Sequence, residues 1–304
     1  MTTKLFYQLT EIYTTPLGLI WLILATSYSY YYYGTFNWGF AVVALILVFM
    51  FHLITNMQNN YMDYLHASDG GTYKTKTSTI GKNQINLKSV KTWMYSLAIV
   101  PILGGLALGY LTGPVTFGIG ILAVIIGLAY SAGPKPLNST FLCEFAVSFP
   151  IAICIPMTYV YLGSINSWQF DGVSMLRSAA ISLVPFLIFY MLQLANNTCD
   201  LDEDVQNGRK TLVYYLQKLA VFKVFTVLFW TAGLVIFPLV LFKLAPWTIL
   251  LTWVIFPKVC KKSKIFFSNQ DKATVYGILV KNNSQIVMLY VLLFAIGTMI
   301  ERIF

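Results

Sequence analysis

Two short polar stretches carry the residue types that hold a divalent cation against a phosphate group. In the stretch 193–212, Asn196, Asp200 and Asp204 fall at i, i+4 and i+8, so on a continuous helix one amide and two carboxylates share a face. The stretch holds four of the chain's eleven acidic residues. Gly208 then offers a helix stop, with Arg209 and Lys210 directly beyond it. A hard cation such as Mg²⁺ is usually held through one or two carboxylates plus substrate phosphate oxygens, and a carboxylate face flanked by cations suits that complex.

A single acidic cluster at a helix end reads equally well as a solvated loop. Here there are two. Asn56, Asn59, Asn60 and Asp63 repeat the pattern at helical spacing after another apolar run, with Asp69 following. Their separation from the later cluster, about half the chain, points to two pseudo-repeated halves facing one site.

The elements that position these residues must be membrane helices. Of 304 residues, 58% are hydrophobic and 10% charged, and the mean hydropathy is +0.70. Soluble domains carry about 25% charged residues. The apolar segments are long, without the alternation that barrel strands require. Nine crossings are expected, over 16–33, 38–58, 91–112, 114–131, 141–163, 177–199, 218–242, 246–260 and 283–303. The fold class is therefore all-α, a polytopic bundle of nine transmembrane helices around a cavity facing the cytoplasm, with 1–304 as a single domain. The opening 1–15 segment has no signal-peptide pattern and is expected along the membrane interface.

Charge sets the orientation. With loops assigned alternately to two sides, 17 of the 20 Lys and Arg residues fall on the side of both acidic clusters, and only Arg177, Lys243 and Arg302 on the other. The positive-inside rule places the N-terminus and the acidic loops in the cytoplasm and the C-terminus outside. The net charge of +9 is thus mainly a topology signal. Scattered over short loops, it implies no nucleic-acid partner, but it does attract membrane lipid and anionic substrates. The four cysteines show neither paired nor metal-ligand spacing. The run Tyr30 to Tyr33 reads as an interfacial aromatic belt, His52 as a packing residue, and His66 lies within the first polar stretch.

A third segment, Tyr130-Ser131-Ala132-Gly133-Pro134-Lys135-Pro136-Leu137, with Glu144 soon after, is first of all a tight turn between two spans. Taken with Asn59-Asn60-Tyr61-Met62-Asp63 and with Asn196-Asn197-Thr198-Cys199-Asp200 through Asp204, it resembles the motifs of the UbiA superfamily of intramembrane prenyltransferases. The likeness is nearest to the naphthoquinone branch, the 1,4-dihydroxy-2-naphthoate polyprenyltransferases. The first motif departs from the usual family pattern at Asn60 and in the spacing of its last Asp, with Ala67 where the naphthoquinone branch has Gly. Thr15-Pro16 stands where members commonly carry Arg-Pro, and Lys74, Lys76 and Lys82 follow the first motif without an Arg.

The resemblance implies transfer of a polyprenyl group from a prenyl diphosphate to an aromatic acid acceptor, with Mg²⁺ as cofactor. It implies Asp63, Asp200 and Asp204 as metal-binding and catalytic residues with Asn59 in the metal shell, and Tyr130 beside the reacting cation. Asn56, Asn59, Asn196, Asn197, Lys135, Arg209, Lys210, Lys76 and Lys82 are then the expected substrate contacts. Other acceptors, such as 4-hydroxybenzoate, stay open within the same superfamily. A transporter expects charge near mid-span, where this chain has almost none. A phosphatidyl-type alcohol phosphotransferase expects a D-G-x-x-A-R motif, which is not present.

The charge asymmetry is directly testable. Single cysteines placed at Lys82 and Lys262 in a background without the native cysteines should resist impermeant thiol reagents in intact cells and react after permeabilisation. Labelling of either from outside rejects the orientation.

Overall fold

The computed structural model describes residues 2–67, 73–167 and 172–303, and within them the chain is helical, with no strand. Six helical segments are long and apolar enough to cross a membrane: Trp38–His66, Leu87–Thr112, Pro114–Ser131, Cys143–Gly163, Leu212–Leu241 and Lys272–Ile303. Two more candidates are bent pairs, Thr3–Thr10 with Ile12–Tyr32 at 53° and Gly172–Ala180 with Leu183–Cys199 at 59°. The nine expected crossings thus become six, or eight with each bent pair counted once. The missing one is 246–260, which the chain builds as a 3₁₀ stretch, Trp247–Ile255, running into the α-helix Phe256–Ser263. Hydropathy alone does not distinguish that winding from an α-helical span.

Local chemistry explains where the helices turn. The bend in the first pair falls at Glu11, whose φ of 48° is left-handed and ends Thr3–Thr10. Asn37 starts Trp38–His66 by accepting from the Phe40 amide at 3.3 Å. Between Leu87–Thr112 and Pro114–Ser131, Gly113 takes a φ of +95° and Pro114 opens the next helix, so two crossings join through one residue. Cys143–Gly163 is interrupted by a π-helical turn over Pro150–Cys154, where proline cannot donate to the helical ladder.

The bundle packs as a membrane protein does. Leu87–Thr112 leaves Ile99, Val100, Leu103, Tyr110 and Leu111 exposed, which lipid tolerates and water does not. Its interior is built from large side chains such as Trp21, Tyr28, Tyr159, Phe225 and Tyr290, all buried. The length of Trp38–His66 matters most for function. Its 29 residues rise about 44 Å at about 1.5 Å each, against a hydrocarbon layer of about 30 Å. The last turns, which carry Asn59 and Asp63, therefore project to the membrane edge. Gln58 fixes them there, its side-chain amide donating to the carbonyls of Gly127 and Leu128 and to the Ser131 hydroxyl.

Close helix approach at Gly297 gives a stability test. A Cβ added there would sit 2.0 Å from Thr248 Oγ1 and 2.6 Å from Pro246 Cβ. Gly297→Val should cost about 1–3 kcal/mol of stability, read as a lowered Tm in detergent. An unchanged Tm rejects the close contact between the last helix and the 246–248 segment.

Candidate active site

The second acidic motif does not lie on one helix. Leu183–Cys199 ends at Asp200, where φ is −96° and ψ 2°, and a new helix, Leu201–Gln206, begins. The i, i+8 face expected for Asn196 and Asp204 is therefore broken, but the break aims both carboxylates at one cavity, which Asn196, Asp200 and Asp204 all line. Asn196 Nδ2 donates to Asp200 Oδ2 at 3.4 Å, and the same oxygen pairs with the Lys272 ammonium. Asp204 is buried and its Oδ1 forms an ion pair with Arg209 Nη1 across 3.2 Å. Gly208, at a φ of +76°, lets the chain double back so that Arg209 returns to the carboxylate five residues earlier.

The first motif stays on a continuous helix but divides its work. Asn60 and Asn56 are spent on the N-terminal segment: Asn56 Nδ2 donates to Thr10 O at 2.9 Å, and Asn60 Nδ2 to Glu11 Oε1 at 3.2 Å. Asn59 and Asp63 instead accept from one residue outside either motif. Asn138 Nδ2 reaches Asp63 Oδ1 at 3.2 Å and Asn59 Oδ1 at 3.4 Å.

Asn138 also joins the two halves. Its backbone carbonyl accepts from Arg209 Nε at 3.2 Å and from Nη2 at 3.1 Å. The Tyr130–Leu137 turn, with Gly133 at a φ of +100°, delivers this buried asparagine between the two motifs. Tyr130 itself lines the cavity, its hydroxyl 3.9 Å from Cys143 Sγ. Burial pushes the Asp204 carboxyl up to about 6; Arg209 pulls it down, and the nearby Asp200 and Asp63 charges push it up. The three carboxylates thus feel one another, although no three His, Cys, Asp or Glu residues form a metal cage among the described residues.

The cavity has a volume of about 1360 Å³. One end carries Asn59, Asp63, Asp200, Asp204, Arg209 and Lys272, and much of the remaining wall is apolar, including Phe51, Ile102, Leu106, Ile125, Ile151 and Phe189. Of the expected contacts, Asn56, Asn59, Asn196, Asn197, Tyr130 and Arg209 line it. Lys135, Lys210, Lys76 and Lys82 do not; each is exposed, and the Lys210 ammonium lies over the Tyr214 ring at 5.3 Å. His66 and Asp202 are exposed and away from the lining, and Asp69 lies outside the described residues. Lys272 and Asn138 are the site residues that the motifs did not mark. Asn138 directly follows the turn signature, a usable signal, whereas Lys272 is 72 residues from its partner Asp200 and shares no spacing with it.

These donors fit Mg²⁺. Asp204 Oδ2 is buried without a hydrogen-bond partner while Oδ1 is held by Arg209. An acceptor left empty beside two further carboxylates, with too few protein ligands for a cage, suits a cation that completes its shell on phosphate oxygens.

Comparison with known proteins gives a consistent picture. The sequence model of the UbiA prenyltransferase family matches residues 19–299. The chain is 23% identical to a 1,4-dihydroxy-2-naphthoate octaprenyltransferase of Haemophilus influenzae, over 98% of this chain and 96% of that one. It is also 23% identical to the enzyme of the same name from Bacillus subtilis, covering 98% and 93%. Among solved structures, a digeranylgeranylglyceryl phosphate synthase superposes with a TM-score of 0.66 at 14% identity, covering 97% of this chain and 98% of that one. A UbiA homologue from Archaeoglobus fulgidus bound to GPP and Mg²⁺ gives 0.57 at 12% identity, covering 93% and 99%.

The Arg209 contacts give a further stability test. Arg209→Met strands a buried carboxylate and should cost about 1.5–3 kcal/mol, seen as a fall in Tm in detergent. Adding Asp204→Asn should recover most of the loss, because the stranded charge is gone. Strictly additive losses in the double variant reject the pairing.

Proposed function

Since the chain belongs to the UbiA prenyltransferase family, we propose that it transfers a polyprenyl group from a prenyl diphosphate to 1,4-dihydroxy-2-naphthoate at the membrane. The observation that carries the reading is the meeting of both acidic motifs around Arg209 at one end of a largely apolar cavity. That cavity matches a substrate with a highly charged head and a long hydrocarbon tail. The acceptor rests on the names of the two bacterial relatives and on the Tyr130–Leu137 signature.

In this reaction the C–O bond between the allylic carbon and the diphosphate breaks. The ring carbon bearing the carboxylate forms the new C–C bond. The carboxylate then leaves as CO₂, its electron pair restoring the aromatic ring, and the product is demethylmenaquinone in its quinol form. Asp63, Asp200 and Asp204, with Asn59, would hold Mg²⁺, which supplies charge neutralisation for the departing diphosphate. Arg209 and Lys272 place fixed positive charge at the same end, where negative charge grows as the C–O bond lengthens. The Tyr130 ring at the cavity wall offers its face to the allylic cation. The apolar wall holds the tail and keeps out water that would quench the cation. Asn56, Asn196 and Asn197 line the polar side. Lys135, Lys210, Lys76 and Lys82, exposed outside the cavity, act by attracting the anionic substrates toward it.

The membrane arrangement belongs to the same proposal: the active-site end faces the cytoplasm, and nine crossings form two related halves. The 3₁₀ stretch of nine residues followed by eight α-helical residues reaches about 30 Å, enough for the ninth crossing.

Membranes containing the protein, supplied with Mg²⁺, a polyprenyl diphosphate and carboxyl-labelled 1,4-dihydroxy-2-naphthoate, should release labelled CO₂ in step with a prenylated lipid. Asp63→Asn and Asp200→Asn should each lower turnover by roughly 10²- to 10³-fold. Prenylation of 4-hydroxybenzoate with no reaction of the naphthoate replaces the acceptor. Near-normal turnover in both Asn variants removes the two-motif site.

A further inference from the structure

Behind the cavity wall lies a buried acid that the reaction above does not use. Glu144 is fully buried, with no solvent exposure, and does not line the cavity. Its Oε1 accepts from Asn197 Nδ2 at 2.9 Å, while its Oε2 has no partner. Burying a carboxyl this way is costly, so what its contacts do calls for an explanation.

What it does can be followed through the amide hydrogens. Asn197 Nδ2 carries two, and both point away from the cavity, one to Glu144 Oε1 and one to Cys143 Sγ at 3.4 Å. The Asn197 carbonyl oxygen is therefore turned toward Asn196, whose Nδ2 approaches it at 3.5 Å and reaches Asp200 Oδ2 at 3.4 Å. Asn196 Nδ2 is thus directed at these two oxygens, and its Oδ1 accepts no hydrogen bond among the described residues while Asn196 lines the cavity. Flipping Asn197 would set its carbonyl against the Glu144 carboxylate and turn its NH₂ toward the Asn196 NH₂. The orientation of both amides is thus set from behind, by Glu144.

Resting on the cation–diphosphate reading of the cavity, we propose that Glu144 is a positioning residue: its hydrogen bond to Asn197 fixes the Asn197–Asn196 pair so that a carbonyl oxygen, rather than an amide hydrogen, faces the bound divalent cation. The part it plays is one of reach rather than charge. A carbonyl oxygen is a ligand for a hard cation and an N–H group is not, so the acid acts on the site without touching it, as outer-shell partners of metal ligands do.

The test measures Mn²⁺ binding by electron paramagnetic resonance to the purified protein, with a prenyl thiodiphosphate that resists ionisation. Glu144→Gln keeps an acceptor at the same reach and should bind Mn²⁺ within about threefold of the unaltered protein. Glu144→Leu removes the acceptor and should weaken Mn²⁺ by roughly tenfold or more. Glu144→Asp keeps the charge but is one methylene too short; it should weaken binding as Leu does, and it serves as the test if the Leu variant does not fold. Affinity unchanged in folded Glu144→Leu or Glu144→Asp overturns the inference. So does a loss in Glu144→Gln equal to that in Glu144→Asp, since charge or bulk would then be what matters. An unaltered protein whose Mn²⁺ binding ignores the thiodiphosphate and survives Asp200→Asn overturns the cation site itself, and this inference with it.

Discussion

The Arg209 guanidinium is the contact on which the rest of the site depends. It pairs with Asp204 from the second motif and donates two hydrogen bonds to the carbonyl of Asn138, whose side chain holds Asp63 and Asn59 of the first. Three segments far apart in sequence thereby meet at one partly buried cation. The planar fork makes this possible, because its N–H groups point in fixed directions and serve separate acceptors at once. A lysine in that place would supply the charge without the geometry.

The bilayer sets the second constraint. A carboxylate is costly inside hydrocarbon, and an apolar tail is costly outside it. The chain satisfies both by running Trp38–His66 past the thickness of the membrane and by ending Leu183–Cys199 at Asp200. The acids then appear where the apolar layer stops, and the cavity they face is apolar over much of its remaining wall. In the proposed reaction, shielding the reacting cation and holding the diphosphate would fall to two ends of one space.

Many of the polar groups at this edge are paired with one another through asparagines. Asn56 and Asn60 tie the opening helix to the bundle, Asn138 joins the motifs, and Asn197 rests on Glu144. Asparagine suits this role because one short side chain both donates and accepts. Asp204 Oδ2 and Glu144 Oε2 are left without a hydrogen-bond partner, and the first belongs to the proposed cation site.

Much of this was legible in the residue order. Long uncharged runs make membrane helices by necessity, because backbone groups in lipid must bond within their own segment. Asn and Asp at helical spacing after two such runs marked Asp63, Asp200 and Asp204. Local rules read those features, since they depend on near neighbours. What lay beyond them depended on contacts between distant segments. Nothing in the spacing joins Lys272 to Asp200, and the place of Asn138 directly after the turn signature marks it as near the site without showing that it bridges two motifs. Lys135, prominent within its signature, stands exposed at a turn while Asn138, three residues on, is buried. The chain alone also reads Asn196, Asp200 and Asp204 onto one helix that stops at Gly208, and 246–260 as one span, where packing broke the first at Asp200 and wound part of the second as a 3₁₀ helix. Hydrophobic periodicity determines which segments are helical and what they carry; only the packed bundle decides where each helix breaks, which charges meet and which remain in water, because those outcomes come from burial and pairing between residues that the sequence holds far apart.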